Sequence, residues 1–243
     1  MRADTWLKGM VGLAVLVAVG CSFGEKVTTK SSSELPRYHV RTMALVPFSA
    51  MATPQARDLG NPYMSTPQGI RRSDISIAVP SNAEPPLRQT VMVPDYAADL
   101  ITQLFWSRLK SREGITVSSP NESAKLLSVN GESTKNIPET TGAEIAKRLQ
   151  VDAVLIGQVL VFQERVGSRL GANPPASVGF EVKAVTLDGS VLWVGNYYER
   201  QKPMTEDFMG FVQRWGAFVT AEELAQYGVD QIMKEFPFGS VEK

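Results

Sequence analysis

The chain has 243 residues, 43% of them hydrophobic, with 25 basic and 25 acidic side chains. That amount of apolar material is enough for one well-filled α/β domain. The charge balance argues against a nucleic-acid-binding protein and against a polybasic membrane-surface domain. The balance also holds for residues 21–243. Without Arg2, Lys8 and Asp4, this part of the chain has 23 basic and 24 acidic side chains.

Residues 1–20 have the pattern of a bacterial secretion signal. A basic front end is followed by an uncharged run over 9–19, which has the length of a signal core and is too short to span a bilayer as a mature helix. The run ends in Ala18-Val19-Gly20-Cys21, which resembles the lipobox of bacterial lipoproteins. In that motif a signal peptidase cuts just before a cysteine that carries diacylglycerol.

Cys21, the only cysteine, is therefore the predicted lipidation site. An exported protein with one thiol cannot form an internal disulfide, and lipidation removes a reactive group. Diacylglycerol plus a third chain such as palmitate anchors far more firmly than one acyl chain. By the sorting preference of enterobacteria, Ser22 favours the outer membrane, with the domain facing the periplasm. The alternative is an ordinary secretory signal, cleaved nearby, with Cys21 incidental.

The segment after the anchor is polar and rich in Ser and Thr. We predict that residues 21–38 are the lipidated cysteine and a flexible tether. Fully extended, residues 22–38 reach roughly 55–60 Å at about 3.3 Å each. The domain over 39–243 is then expected to move well away from the membrane surface.

Periodicity predicts a single α/β domain with a mixed sheet. The predicted elements are a buried strand (40–48), an irregular proline-rich insertion (49–93) with one short strand (75–79), a helix from Asp95, a strand (115–119), two helices (121–129 and 142–150), a central strand (151–162), a hairpin (177–187 and 190–200), and a helical tail (204–237). The tail contains a capping box at Thr220 and Glu223. Gly228 lies inside the tail helix, where it could allow close packing.

Three stretches are similar to those of envelope lipoproteins whose domain is like the N-terminal domain of TolB. They are Leu45-Val46-Pro47-Phe48, Leu149 to Gly157 and Val185 to Trp193. This family includes the curli secretion channel lipoproteins and the lipoprotein that activates a penicillin-binding protein. The resemblance covers about residues 40–200. It implies a mixed β-sheet flanked by helices, similar also to anticodon-binding domains, and a domain that binds other proteins or itself.

The residue inventory offers little for catalysis. One histidine, His39, and one cysteine exclude a zinc site built from Cys and His, and no phosphate-binding glycine motif occurs, so we expect no metal and no cofactor. Asp152 and Glu181 could pair for general acid/base chemistry if the fold brought them together. Alternatively, Asp152 ends the preceding helical turn and Glu181 faces solvent.

Aromatic residues mark a possible protein interface at Trp193, Tyr197, Tyr198 and Trp215. Alternate residues of a strand point to opposite faces, so Trp193 and Tyr197 share a face and Tyr198 points the other way. Such residues also commonly fill a core. The segment 213–228 is the first place where we expect a docking surface.

These features together predict a non-enzymatic lipoprotein that is held at the membrane by its N-terminal lipid. We expect it to bind a periplasmic or outer-membrane protein, or to form a homo-oligomer, and not to bind nucleic acid. Two alternatives remain: an envelope hydrolase that acts on peptidoglycan or polysaccharide through carboxylates, and a secretion-pore subunit. The curli channel inserts long hairpins to build its pore, whereas the corresponding connection here, 164–176, has only thirteen residues.

Overall fold

A computed structural model of the chain describes residues 26–56, 90–129, 137–202 and 216–241, together with Val212. The signal, Cys21, Trp215, most of the 49–93 insertion with its predicted strand at 75–79, and the first part of the predicted tail lie outside these residues.

Seven of the described strands form one mixed sheet. Its order is β1 (Val27–Ser31), β12 (Val191–Arg200), β11 (Ser177–Thr186), β8 (Ala153–Gln163), β2 (Thr42–Leu45) and β7 (Thr116–Ser118), and β3 (Ser49–Ala50) also pairs with β8. β1, β12, β11 and β8 are antiparallel neighbours. β2 runs parallel to both β7 and β8. The predicted central strand and hairpin are confirmed as β8 and as β11 with β12.

Three two-stranded ladders complete the described strands. They pair β4 (Gln55–Ala56) with β5 (Thr90–Val91), β6 (Arg112–Glu113) with β13 (Ser240–Val241), and β9 (Gly167–Ser168) with β10 (Gly171–Ala172). The first ladder lies at the base of the predicted insertion. The described segments on the two sides of residues 57–89 are therefore paired with each other.

Four helices of the described ranges cover the two faces of the sheet. They are α1 (Asp95–Leu109), α2 (Pro120–Val129), α3 (Glu139–Leu149) and α4 (Ala221–Lys234). α1 and α4 pack on one face, and α2 and α3 pack on the other. The α/β fold with a mixed sheet is as predicted. The capping box is also confirmed, since the Glu223 amide donates to the Thr220 hydroxyl and the Thr220 amide to the Glu223 carboxylate.

The larger core lies between the sheet and the α1–α4 pair. One side of α1, which includes Ala97, Ile101, Phe105 and Leu109, is buried there. Phe105 stacks on Phe48 with ring centroids 5.0 Å apart, and it meets the edge of Phe180 at 5.8 Å. These rings join the helix to strands from distant parts of the chain, so their burial stabilises the whole layer.

A buried arginine ties the end of α4 to β6. The Arg112 guanidinium donates hydrogen bonds to the carbonyl oxygens of Met233, Phe236, Phe238 and Gly239 over 2.8–3.2 Å. Burial lowers the pKa of Arg112 from its ordinary value, but a guanidinium keeps its charge in proteins. The positive charge is stabilised by the dipoles of these four carbonyl groups.

The structure differs from the predicted tether in residues 27–38. Val27–Ser31 is strand β1, paired residue by residue with β12 from Tyr197 to Trp193, and Leu35–Arg37 is a short 3-10 helix. The physical reason is that an edge strand needs only one half-buried side. Val27 and Thr29 supply that side while their neighbours remain polar and exposed, so the sequence resembles a linker.

Candidate interaction surface

The aromatic residues of β12 divide between the core and the surface. Trp193 and Tyr197 are each 1% exposed, whereas Tyr198 is 55% exposed. The Trp193 ring meets the Phe236 ring edge-on at 5.2 Å, and the Tyr197 hydroxyl donates to a Glu199 oxygen at 2.8 Å. Strand alternation is therefore as predicted. Of the described candidates for a protein interface, Tyr198 is the one at the surface.

Tyr198 lies on the face of β12 that points away from α4. A methyl group placed on Gly179 of β11 would come within 2.9 Å of the Tyr198 ring, so the ring lies directly against the backbone of the neighbouring strand. Val194 and Asn196 share this face and are partly exposed. We name the surface formed by Val194, Asn196, Tyr198, Glu181 and Gln158 the open sheet face.

The open sheet face has a polar row across three strands. Asn196 lies opposite Glu181, and Glu181 lies opposite Gln158. The Lys183 ammonium, two residues along β11, contacts a Glu181 oxygen at 3.0 Å and a Glu139 oxygen of α3 at 2.9 Å. The hydrogen bond to Glu139 raises the pKa of Lys183, and the same bond lowers the pKa of Glu139. Two carboxylates surround one ammonium, so the border between the open sheet face and α3 is acidic.

A cavity of about 100 Å³ lies at this border, where α3 meets the sheet. Its walls include Gly157 and Gln158 of β8 and Glu181 and Lys183 of β11. The cavity is small and its charged groups pair with one another. The face therefore presents hydrogen-bond donors and acceptors beside one exposed aromatic ring.

His39 lies in a second cleft, of about 330 Å³, at the end of the sheet where β8 begins and β11 ends. Asp188 in the cleft accepts hydrogen bonds from the Thr186 hydroxyl, from the Ser190 amide at 3.0 Å and from the Tyr38 hydroxyl at 3.0 Å. These bonds, with that from Thr186 the largest contribution, lower the pKa of Asp188 to about 2. The Asp188 carboxylate therefore stabilises the β11–β12 turn. The Thr186 hydroxyl donates its hydrogen bond within the same turn.

The carboxylates considered for acid/base chemistry do not come together. Asp152 accepts three hydrogen bonds, from the Arg41 amide at 2.9 Å and from the Thr42 amide and hydroxyl at 2.8 and 2.9 Å. Burial acts to raise the pKa of Asp152, but these bonds outweigh it and lower the pKa. Glu181 lies opposite Gln158, six residues along β8 from Asp152 and thus about 20 Å away. Asp152 holds the start of β2 and does not end a helix.

Two buried polar residues were not predicted from the sequence. Glu199 is 4% exposed, and its second oxygen lies 3.2 Å from the Lys26 ammonium. Gln201 is 1% exposed, donates to the Ala217 carbonyl at 2.7 Å and accepts from the Val219 amide at 2.8 Å. Both hold together segments that are far apart in sequence, so no local pattern indicates them.

Within the described ranges, no cluster of three or more His, Cys, Asp or Glu side chains could hold a metal ion. No helix of those ranges is long and apolar enough to cross a membrane.

No protein-family model matches the sequence, and no curated protein matches it. Among solved structures, the chain is similar to the PelC dodecamer from Paraburkholderia phytofirmans, with 11% identity, a TM-score of 0.42 and coverage of 85% of this chain and 93% of that one. It is also similar to lipoprotein GNA1162 from Neisseria meningitidis, with 14% identity, a TM-score of 0.39 and coverage of 80% and 99%.

A third similar structure is the LpoB C-terminal domain from Salmonella enterica, with 10% identity, a TM-score of 0.35 and coverage of 68% and 85%. These likenesses are distant.

Proposed function

We propose that the chain is a lipid-anchored protein of the bacterial envelope that has no catalytic activity and acts by binding a protein partner or copies of itself. The observation that carries the proposal is the signal pattern that ends at Cys21, the only cysteine. We assign it to the outer membrane, with the domain facing the periplasm.

The described part of the domain supports a binding role in two ways. Asp152 and Glu181 hold structure at separate places, which weakens the case for a hydrolase that uses them. The open sheet face presents Tyr198 beside polar groups, and tyrosine is enriched where proteins meet.

The anchor is tested by Cys21→Ser in the full-length chain, expressed in a bacterial host. Wild-type protein should be recovered with membranes, and the intact mass of the purified protein should include the lipid. The variant should lose the lipid and leave the membrane fraction, while Ser22→Ala, the matched control, should keep both. Recovery of the Cys21→Ser protein with membranes would contradict the proposal.

The partner is tested by chemical cross-linking in intact envelopes, with Tyr198→Glu compared against wild type. A specific cross-linked species, either a second protein or a multimer of this chain, should be present for wild type and reduced in the variant. Leu187→Glu, at the other end of the sheet, is the control. Recovery of monomer alone from wild type would overturn the binding role, and large rings in mild detergent extracts would favour the pore subunit.

A further inference from the structure

The connection between the predicted anchor and the folded domain is short. The Tyr198 amide donates to the Lys26 carbonyl at 3.0 Å, and the Lys26 ammonium contacts Glu199, so the chain is already held at Lys26. Cys21 lies five residues earlier. Five residues reach at most about 18 Å, which is far less than the 55–60 Å that a tether over 22–38 allows.

The register of β1 decides which end of the domain is nearest to the anchor. Val27 pairs with Tyr197, so Lys26 lies beside the carboxyl end of β12. The start of β11 and the end of β8 lie at the same end, because Ser177 pairs with both Arg200 and Gln163. The β9–β10 hairpin joins β8 to β11, and it therefore lies at the anchored end, against the start of α4.

The hairpin exposes two apolar side chains, one at its tip and one at its base, although turns are ordinarily polar. Leu170 is 91% exposed and Val166 is 50% exposed. The hairpin is nevertheless held in place: the Asn173 amide donates to the Val166 carbonyl at 2.8 Å, and the Phe218 amide donates to the Arg169 carbonyl at 2.8 Å. A fixed loop that presents leucine outward is an arrangement suited to an apolar medium.

Two further exposed apolar residues lie at the same end. Tyr96, in the first turn of α1, is 60% exposed and meets the Phe162 ring near the end of β8 at 5.7 Å. Met92, just before α1, is 57% exposed. The anchored end therefore has exposed apolar side chains from two separate parts of the chain.

The charges around the hairpin tip suit a phospholipid surface. Arg165 and Arg169 flank the exposed Val166 and Leu170 in sequence. The Arg165 guanidinium donates to the Gly167 carbonyl at 2.8 Å and that of Arg169 pairs with Glu223, but the Arg169 side chain is still 62% exposed. A guanidinium has five N–H donors, so each keeps donors for a lipid phosphate while its stem covers apolar groups. Two carboxylates nearby also make contacts within the fold. Glu164 accepts from the Ala221 amide at 3.0 Å, and Glu223 pairs with Arg169.

We propose that this end of the domain docks on the phospholipid leaflet that holds the Cys21 lipid, with Leu170 and Val166 inserted at the boundary between headgroups and acyl chains. The inference rests on the proposed lipid anchor, which supplies the proximity. The hairpin then sets the orientation of the domain relative to the membrane. With the short linker as one attachment and the hairpin as a second, the domain cannot rotate freely.

The test places a fluorophore at the hairpin tip of the full-length lipidated chain. A lipid on Cys21 blocks its sulfur, so Leu170→Cys introduces the only reactive thiol, which is labelled with an environment-sensitive nitrobenzoxadiazole dye. The protein is reconstituted in vesicles of phosphatidylethanolamine and phosphatidylglycerol with a nitroxide-labelled quencher lipid. At an insertion depth of about 5–10 Å, roughly half of the emission should be lost.

The matched control is Leu187→Cys, in the β11–β12 turn at the opposite end of the sheet, where quenching should be slight. Equal quenching at both positions, or none at position 170 in lipidated protein, would overturn the docking proposal and leave the proposed function standing. Wild-type protein should take up no thiol dye. If it does and its mass shows no lipid, the anchor and the docking proposal both fail.

Discussion

Gly228 sets the distance between α4 and the sheet. A methyl group at this position would come within 2.4 Å of the Tyr197 ring. The ring has nowhere to move, because it is buried and its hydroxyl is bonded to Glu199. A glycine inside a helix ordinarily costs about 1 kcal/mol relative to alanine, and here close packing offsets that cost.

Gly228→Ala is therefore expected to destabilise the domain despite the higher helix propensity of alanine. Overpacking of this kind costs about 1–3 kcal/mol, and urea unfolding followed by circular dichroism measures it. Gly171→Ala is the control, since a methyl group there meets nothing within 4 Å. Equal free energies of unfolding for Gly228→Ala and wild type would show that the helix can move away from the sheet.

Asp188 gives a residue-scale prediction on pH. Its pKa falls from 3.8 to about 2 in the folded chain, so its contribution to stability is present above pH 3.8 and is lost as the pH falls through about 2. Asp188→Asn should reduce stability at neutral pH and flatten the change between pH 4 and 2. Carbon-detected NMR titration of the Asp188 carboxyl gives the midpoint directly, and a midpoint near 4 would contradict the hydrogen-bonded turn.

At the scale of elements, β1 is where sequence and structure differ most. The periodicity of α1 and the alternation of β11 are strong because each element buries a full face. β1 buries only part of one side, and its pairing depends on hydrogen bonds from the backbone, which every residue type except proline can make. A weak pattern is therefore expected for an edge strand.

Lys30→Pro tests whether β1 is a true member of the sheet. The bonds from Tyr198 to Lys26 and from Ser32 to Leu192 place Lys30 among the alternate positions whose amides face β12. Losing that hydrogen bond should destabilise the domain by about 1–3 kcal/mol in a denaturant titration.

The control for that change is Ser31→Pro, since the amide of Ser31 points away from β12. It should be close to neutral. If both proline variants match wild type, residues 27–31 behave as a linker in solution and the short connection to the anchor is lost.

At the scale of the whole molecule, the length of chain between lipid and domain controls how the domain meets the membrane. Inserting fifteen Gly and Ser residues after Ser22 should lower the effective concentration of the hairpin at the bilayer. Emission quenching of the dye at position 170 should then fall, while the dye at position 187 should not change. Undiminished quenching would show that the hairpin binds lipid without the help of a short linker.

The sequence by itself determined the elements whose signals are local: the helical stripe of α1, the alternation and turn of the β11–β12 hairpin, the capping box of α4, and the order that makes an α/β domain. It also carries the lipidation prediction, which depends on residues 1–21 alone.

Only the tertiary structure decided that Trp193 and Tyr197 are core while Tyr198 is surface, and that Asp152 and Glu181 are apart. It also decided that the chain joins the sheet at Val27. Each of these depends on partners from distant parts of the sequence, and a periodic pattern shows which side of an element is apolar but not what packs against it.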